Sequence, residues 1–272
     1  SGNWAVGRPA FTTSLRGLAS VVVEVSTLDH ALHSGQYGGV VPDALTTLCK
    51  LLGTLHDDDG EVAIAGLDAG SAAQLDYPEA RLRDETGVLD GVRLVGRGPV
   101  VDRLWTKPAV AVIGLDATPV AKASNTLIPS ARAEVSVRLA PGQDPDAALA
   151  ALKTHLTSHV PFGATVTFGT EGTGRGSVIP FEGPAADAAF GAFTQAWGVE
   201  PVFMGQGGSI PMVAEFLGDY RFGYALGRMS MSLVERHSWR QVQAHAGFSF
   251  NAFLRHWIEP IRSGLPALQE VA

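Results

Sequence analysis

Residues 131–139 alternate without a break. Ala133, Val135, Val137 and Leu139 fall on one side, and Arg132, Glu134, Ser136 and Arg138 on the other. A two-residue period of this length specifies a strand with one apolar and one polar face. Such a strand needs a covering layer on its apolar side only, which favours an antiparallel sheet with helices on one face. Three further stretches supply strands. Residues 19–25 are β-branched and mostly apolar, residues 108–115 are Ala- and Val-rich, and residues 164–168 form a shorter apolar run.

Between these strands lie two helical patterns. Pro42 opens the first, and Leu45, Leu48, Cys49, Leu52 and Leu55 keep helical spacing, which puts Cys49 in the core. Asp57-Asp58-Asp59-Gly60 ends it. Three adjacent carboxylates lack the alternating ligand spacing of a calcium loop, so this reads as a solvated turn. Asp144-Pro145 caps and starts the second helix, which Leu149, Leu152 and Leu156 carry to about residue 159. Residues 17–170 thus run strand, helix, strand, strand, helix, strand. This order predicts an α+β fold with a ferredoxin-like, four-stranded antiparallel domain and two helices on one face. A sheet of this kind leaves an edge open, and a second copy of the chain is one way to cover it.

The flanks read differently. Residues 10–15 form a short strand, and residues 61–107 carry little periodicity beyond short helices around 72–86. Glycines and polar residues over 171–177 mark a boundary. A helix is expected over 184–197 and another over 210–216. A strand over 221–226 and an amphipathic helix over 247–259 complete the reading. A formal net charge of −7 gives no basic footprint for nucleic acid, and no apolar run reaches membrane-spanning length. One cysteine, Cys49, excludes an internal disulfide, in keeping with a cytoplasmic location.

Four groups of residues could carry chemistry. His33 stands in Leu32-His33-Ser34-Gly35-Gln36-Tyr37-Gly38-Gly39, a glycine-loosened loop after a strand, where it either caps a turn or serves a site. Arg138 either forms a surface ion pair or clamps a substrate carboxylate through paired hydrogen bonds. Gly207-Gly208-Ser209 before a helix either caps it or binds an anion through free amides. His237, His245 and His256 each stand alone, and His30 and His33 have no third ligand in view. The chain does not assemble a convincing metal site by spacing.

The ordered set of Trp4-Ala5-Val6-Gly7-Arg8-Pro9, Ser14-Leu15-Arg16-Gly17-Leu18, the His33 loop, Asn125-Thr126-Leu127-Ile128-Pro129, Arg138-Leu139-Ala140-Pro141-Gly142-Gln143-Asp144-Pro145 and Gly207-Gly208-Ser209-Ile210-Pro211 resembles the acetylornithine deacetylase, succinyl-diaminopimelate desuccinylase and carnosine dipeptidase family of dizinc hydrolases. The resemblance spans nearly the whole chain and implies a zinc-dependent dipeptidase or related amidohydrolase acting on a small peptide or acyl-amino acid. Residues 17–170 would be a lid domain that forms a homodimer. Residues 1–16 and 171–272 would belong to an incomplete α/β catalytic domain. By the same resemblance, His33 would reach the partner subunit's active site and steady an oxyanion. Asn125, Thr126 and Arg138 would hold the substrate's carboxylate end, Gly208 and Ser209 would contribute from the turn, and His237 would bind zinc. The family's other zinc ligands and its glutamate base lie upstream of the stretch matching Trp4, so the 272-residue chain is expected to be inactive alone. After His237 the family's pattern is only half matched, by Ser238-Trp239-Arg240-Gln241. The rival reading is a non-catalytic dimerisation or binding module.

Overall fold

The computed structural model describes residues 3–71, 75–210 and 213. The expectations for the strand over 221–226, the helix over 247–259, His237, His245 and His256 lie outside the described residues. So does nearly all of the helix expected over 210–216.

The elements run β1 (Ala10–Leu15), β2 (Gly17–Ser26), β3 (Leu32–His33), α1 (Ser34–Tyr37), α2 (Ala44–Gly53), α3 (Glu79–Thr86), α4 (Val100–Trp105), β4 (Ala109–Asp116), β5 (Thr126–Leu127), β6 (Ser130–Leu139), α5 (Pro145–Ser158), β7 (Thr165–Gly174), β8 (Ser177–Val178), α6 (Pro184–Trp197) and β9 (Val202–Gln206). The larger sheet has the order β4-β6-β2-β7, with every pair antiparallel. The alternating residues behave as their period demands. Ala133, Val135, Val137 and Leu139 are buried, and so are Ala19, Val21, Val23 and Val25 opposite them. Leu48 and Leu51 of α2 join this core with Leu149, Leu152 and Leu156 of α5, so both helices cover one face.

Each helix is started by an aspartate. Asp43 accepts from the Thr46 amide at 2.9 Å, and Asp144 accepts from the Asp146 amide at 3.0 Å. Asp43 also accepts from the Ile128 amide at 3.0 Å, which ties the start of α2 to the turn between β5 and β6.

The structure corrects several expectations. Cys49 is exposed, because the inward stripe of α2 is Ala44, Thr47, Leu48 and Leu51. That stripe lies one residue off the leucine pattern, and Leu45 and Leu52 only flank it. β7 continues through the glycines that read as a boundary. A Cβ on Gly172 would meet Ser20 Oγ at 2.9 Å, so these glycines permit close strand contact. The helix expected over 72–86 is confined to Glu79–Thr86 among the described residues. The Asp57–Gly60 turn is closed by Arg97, whose guanidinium binds the carboxylates of Asp57 at 2.9 Å and Asp59 at 2.5 Å.

A smaller sheet of order β8-β1-β9 adjoins the first. β1 pairs parallel to β9 and antiparallel to β8, and only Arg16 separates it from β2. Phe11 of β1 packs on Phe181 at 4.5 Å and on Phe193 of α6 at 4.6 Å, measured between ring centroids. Trp4 meets Trp105 of α4 edge-on at 5.7 Å. One continuous backbone from β1 into β2 therefore belongs to both sheets.

Candidate functional site

The expected residues gather in two groups, one at each end of the larger sheet. The first is a ribbon that projects beyond Ser26 and Ser130. In it β3 pairs with β5, so His33 lies directly opposite Thr126, and the Ser34 amide donates to Asn125 O at 2.9 Å. Thr126 Oγ1 lies 2.8 Å from Ser124 Oγ. The His33 Nδ1 atom accepts from the Gly35 amide at 3.1 Å and caps α1. An acceptor at Nδ1 puts the proton of the neutral ring on Nε2, which faces away from that cap as a donor. Capping and service to a site are thus compatible, because the first fixes the tautomer used by the second.

Two glycines make this arrangement possible, for a reason other than left-handed backbone. Gly39 takes φ +88°, whereas neither Gly35 nor Gly38 has positive φ. A Cβ on Gly35 would sit 2.9 Å from His33 Cε1, and one on Gly38 would sit 2.4 Å from Ser34 O. The bare glycine surface is what lets the imidazole lie against the turn.

The second group lies at the opposite end, on the face turned away from the helices. Ala109, Arg138, Leu18 and Gly174 form one row across the sheet. Gly174 neighbours the turn after β9: a Cβ there would lie in ordinary contact with Ser209 Oγ, at 3.8 Å. Gly208 next to it has open space around its α-carbon. Arg138 forms no ion pair among the described residues, unlike Arg132 on the same face of the same strand, which pairs with Asp116. The surface ion pair weighed from sequence therefore belongs to Arg132.

Sequence reasoning passed over Arg16, which stands between the two sheets and belongs to this group. The residue is 9% exposed. Nε donates to Gly207 O at 3.2 Å, and Nη1 donates to Arg103 O at 3.5 Å and Lys107 O at 3.4 Å. Burial, and then the charge of Arg138, push its pKa down to about 10. The sequence signal was present as an arginine set between Leu15 and Leu18 at the junction of two strands.

From the row of Leu18 to the row of Ser26 the sheet extends eight residues, about 26 Å at the usual rise per residue. Within one chain, His33 is therefore remote from Arg138 and Ser209. Among the described residues no three His, Cys, Asp or Glu side chains come together to hold a metal ion. His155 is engaged structurally, with Nε2 3.0 Å from Thr54 Oγ1 and its ring stacked on His159. His30 contacts Asp29.

Comparison with known proteins places this architecture. Residues 13–164 match the peptidase dimerisation domain of the M20 group. The chain is 34% identical to the cysteinylglycine-S-conjugate dipeptidase of Corynebacterium striatum over 78% of its own length and 47% of that protein's. It is 26% identical to the human Beta-Ala-His dipeptidase over 56% of its length and 31% of the relative's. The crystal structure of human carnosine dipeptidase 1 superposes with a TM-score of 0.64 at 21% identity, covering 80% of this chain and 49% of that one. The chain thus spans about half the length, or less, of the curated relatives it matches. The sheet that carries both groups of residues falls largely within the matched segment, and the chain belongs to the M20 peptidase dimerisation domain family, whose relatives here are dipeptidases.

Proposed function

We propose that this chain supplies the lid and the substrate-binding turn of a dipeptidase, and that its site is completed by a second copy. The observation that carries this reading is the separation of His33, Asn125 and Thr126 from Arg138 and Ser209 by the length of the sheet. Residues 17–170 are read as a ferredoxin-like lid, and residues 1–16 and 171–272 as segments of the catalytic domain into which it is inserted. In this reading Arg138 grips the substrate's terminal carboxylate, Gly208 and Ser209 line that end, and the Nε2 proton of a partner's ribbon histidine steadies the developing oxyanion. The substrate is a small peptide or acyl-amino acid, and the setting is cytoplasmic.

Topology supplies the pairing. β4 is an edge strand whose Val112, Ile113 and Leu115 are exposed at 44%, 59% and 47%. Its Ala109 end neighbours Arg138 and its Asp116 end neighbours Arg132. Antiparallel pairing of β4 with its own copy is two-fold symmetric. It sets the ribbon end of one sheet beside the Arg138 end of the other. For Arg138 on β6, the gap then falls from the sheet's length to about three strand spacings, roughly 14 Å, within reach of a projecting ribbon.

The family implies zinc. The described residues bring no three ligands together, so they do not fit the metal, and His237 lies outside them. The 272-residue chain by itself is proposed to bind without hydrolysing. The same observation favours a second reading, a non-catalytic dimerisation or binding module.

The test is a crosslink. His33→Cys and Arg138→Cys are placed together in the Cys49→Ser background, and the purified chain is treated with a bismaleimide too short to span the sheet. Covalent dimers on a denaturing gel are expected. Monomers that remain uncrosslinked, with both thiols reactive, would overturn the shared site.

A further inference from the structure

Arg16 is the one strongly buried cation of the described chain, and it has no carboxylate partner among the described residues. Its three hydrogen bonds all go to backbone carbonyls. Its remaining arm, Nη2, has no hydrogen-bond acceptor among the described residues. Nη2 lies beside Gly207, where a Cβ would approach it to 2.8 Å. Arg138 is near enough to disfavour its charge, and it too lacks an acid partner among the described residues. Among the described residues no carboxylate stands against either guanidinium, and an anion joining the two would offset their mutual repulsion.

Resting on the reading of Arg138 as the carboxylate clamp, we propose that Arg16 is the specificity-determining positioning residue of that clamp, holding the Gly207–Ser209 turn against the sheet and adding a second positive charge that selects ligands with a free carboxylate. The geometry divides the work. Nε fixes the Gly207 carbonyl, which orients the next two residues toward the Arg138 row. Nη1 anchors the guanidinium to the chain after α4. Nη2 lies on the Gly207 side, so the charge stands beside the turn. A neutral carboxamide of the same shape gains nothing from that charge, so the discrimination is electrostatic and not steric.

The test uses the purified 272-residue chain with two probes, N-acetylglycine and N-acetylglycinamide, and compares affinities by NMR titration. The wild-type chain is expected to bind the carboxylate at least 10-fold more tightly than the amide. Arg16→Met should reduce that ratio to within about 2-fold, and Arg16→Lys, which keeps the charge without the fork, should recover part of it. Gly207→Ala probes the same contact from the other side and should lower the ratio with Arg16 intact. Thermal melts identify any variant that fails to fold, and Arg16→Lys and Gly207→Ala then carry the comparison. Selectivity that Arg138→Met abolishes and both Arg16→Met and Gly207→Ala leave unchanged overturns the role of Arg16 alone. A wild-type chain that does not distinguish the probes overturns the clamp, and this inference with it.

Discussion

Replacing Gly35 with alanine tests the link between the turn and the histidine. Gly35 does not use left-handed backbone, so alanine is acceptable there conformationally. In a helix alanine is favoured over glycine by about 1 kcal/mol, so the substitution carries no intrinsic penalty for α1. Its whole effect falls on the imidazole: the new Cβ would stand 2.9 Å from Cε1 and 3.1 Å from Nδ1 of His33. Ordinary contact needs about half an ångström more, and the ring must swing off the turn to provide it. The bond from the Gly35 amide to Nδ1 is then lost. A hydrogen bond of this kind is worth about 1 kcal/mol, which biases the two neutral tautomers by about 5-fold. Long-range nitrogen–proton correlation spectra of the histidine-labelled chain, recorded where the ring is neutral, read the tautomers directly. The wild type should show His33 protonated at Nε2, and Gly35→Ala should shift it toward a mixture with no loss of melting temperature. An unchanged Nε2–H signal in the variant would refute the claim that the turn sets the tautomer.

Other perturbations address the sheet and its edges. Ile113→Lys places a charge on the exposed β4 edge and should convert dimer to monomer in sedimentation velocity; a persisting dimer would exclude that edge as the seam. Leu152 is fully buried between α5 and the sheet, and Leu152→Ala should cost about 2–5 kcal/mol by denaturant titration. His155 has its pKa pushed below the ordinary value, first by burial and then by His159, against a raising hydrogen bond to Thr54. The unfolded chain therefore takes up this proton more readily, so stability is full above about pH 6.5 and falls as the pH drops from there toward the folded value. His155→Gln should flatten that slope in melting curves. Glu61, held low first by the Arg97 amide and then by Lys107, acts only in the more acidic window below its ordinary value of 4.5.

The parts of the fold legible in the sequence are those whose own residues determine them. The period of β6 fixes its faces, and Asp43 and Asp144 mark where α2 and α5 begin. Elements set by distant partners were not legible. β9 is five residues held by parallel pairing to β1, and β8 is two residues on its other side. Gly172 and Gly174 look like a boundary in sequence. In space both lie in β7, and Gly172 sits where a Cβ would meet Ser20 Oγ at 2.9 Å, information that resides in that neighbour and not in β7. The inward stripe of α2 was misread for a related cause. Thr47 is buried because its hydroxyl returns to Asp43 O at 2.7 Å, which hides its polarity and lets it occupy a core position that a hydrophobic pattern assigns elsewhere.

The candidate site follows the same division. His33, Arg138 and Ser209 could be named from local sequence, and Asn125 and Thr126 from the family resemblance, but their distribution between two ends of the sheet could not, because it depends on strand order. Order also gives the separation its meaning. Had β3 and β5 formed at the Leu18 end, one chain could have enclosed a ligand and the β4 edge would have had no part in it. With the ribbon at the Ser26 end, the proposed contact between His33 and a ligand on Arg138 requires a second copy. The edge position of β4 and the remoteness of His33 both follow from the strand order. A variant that dissolves the edge should abolish the crosslink between positions 33 and 138 while leaving the Arg16 end of each sheet intact.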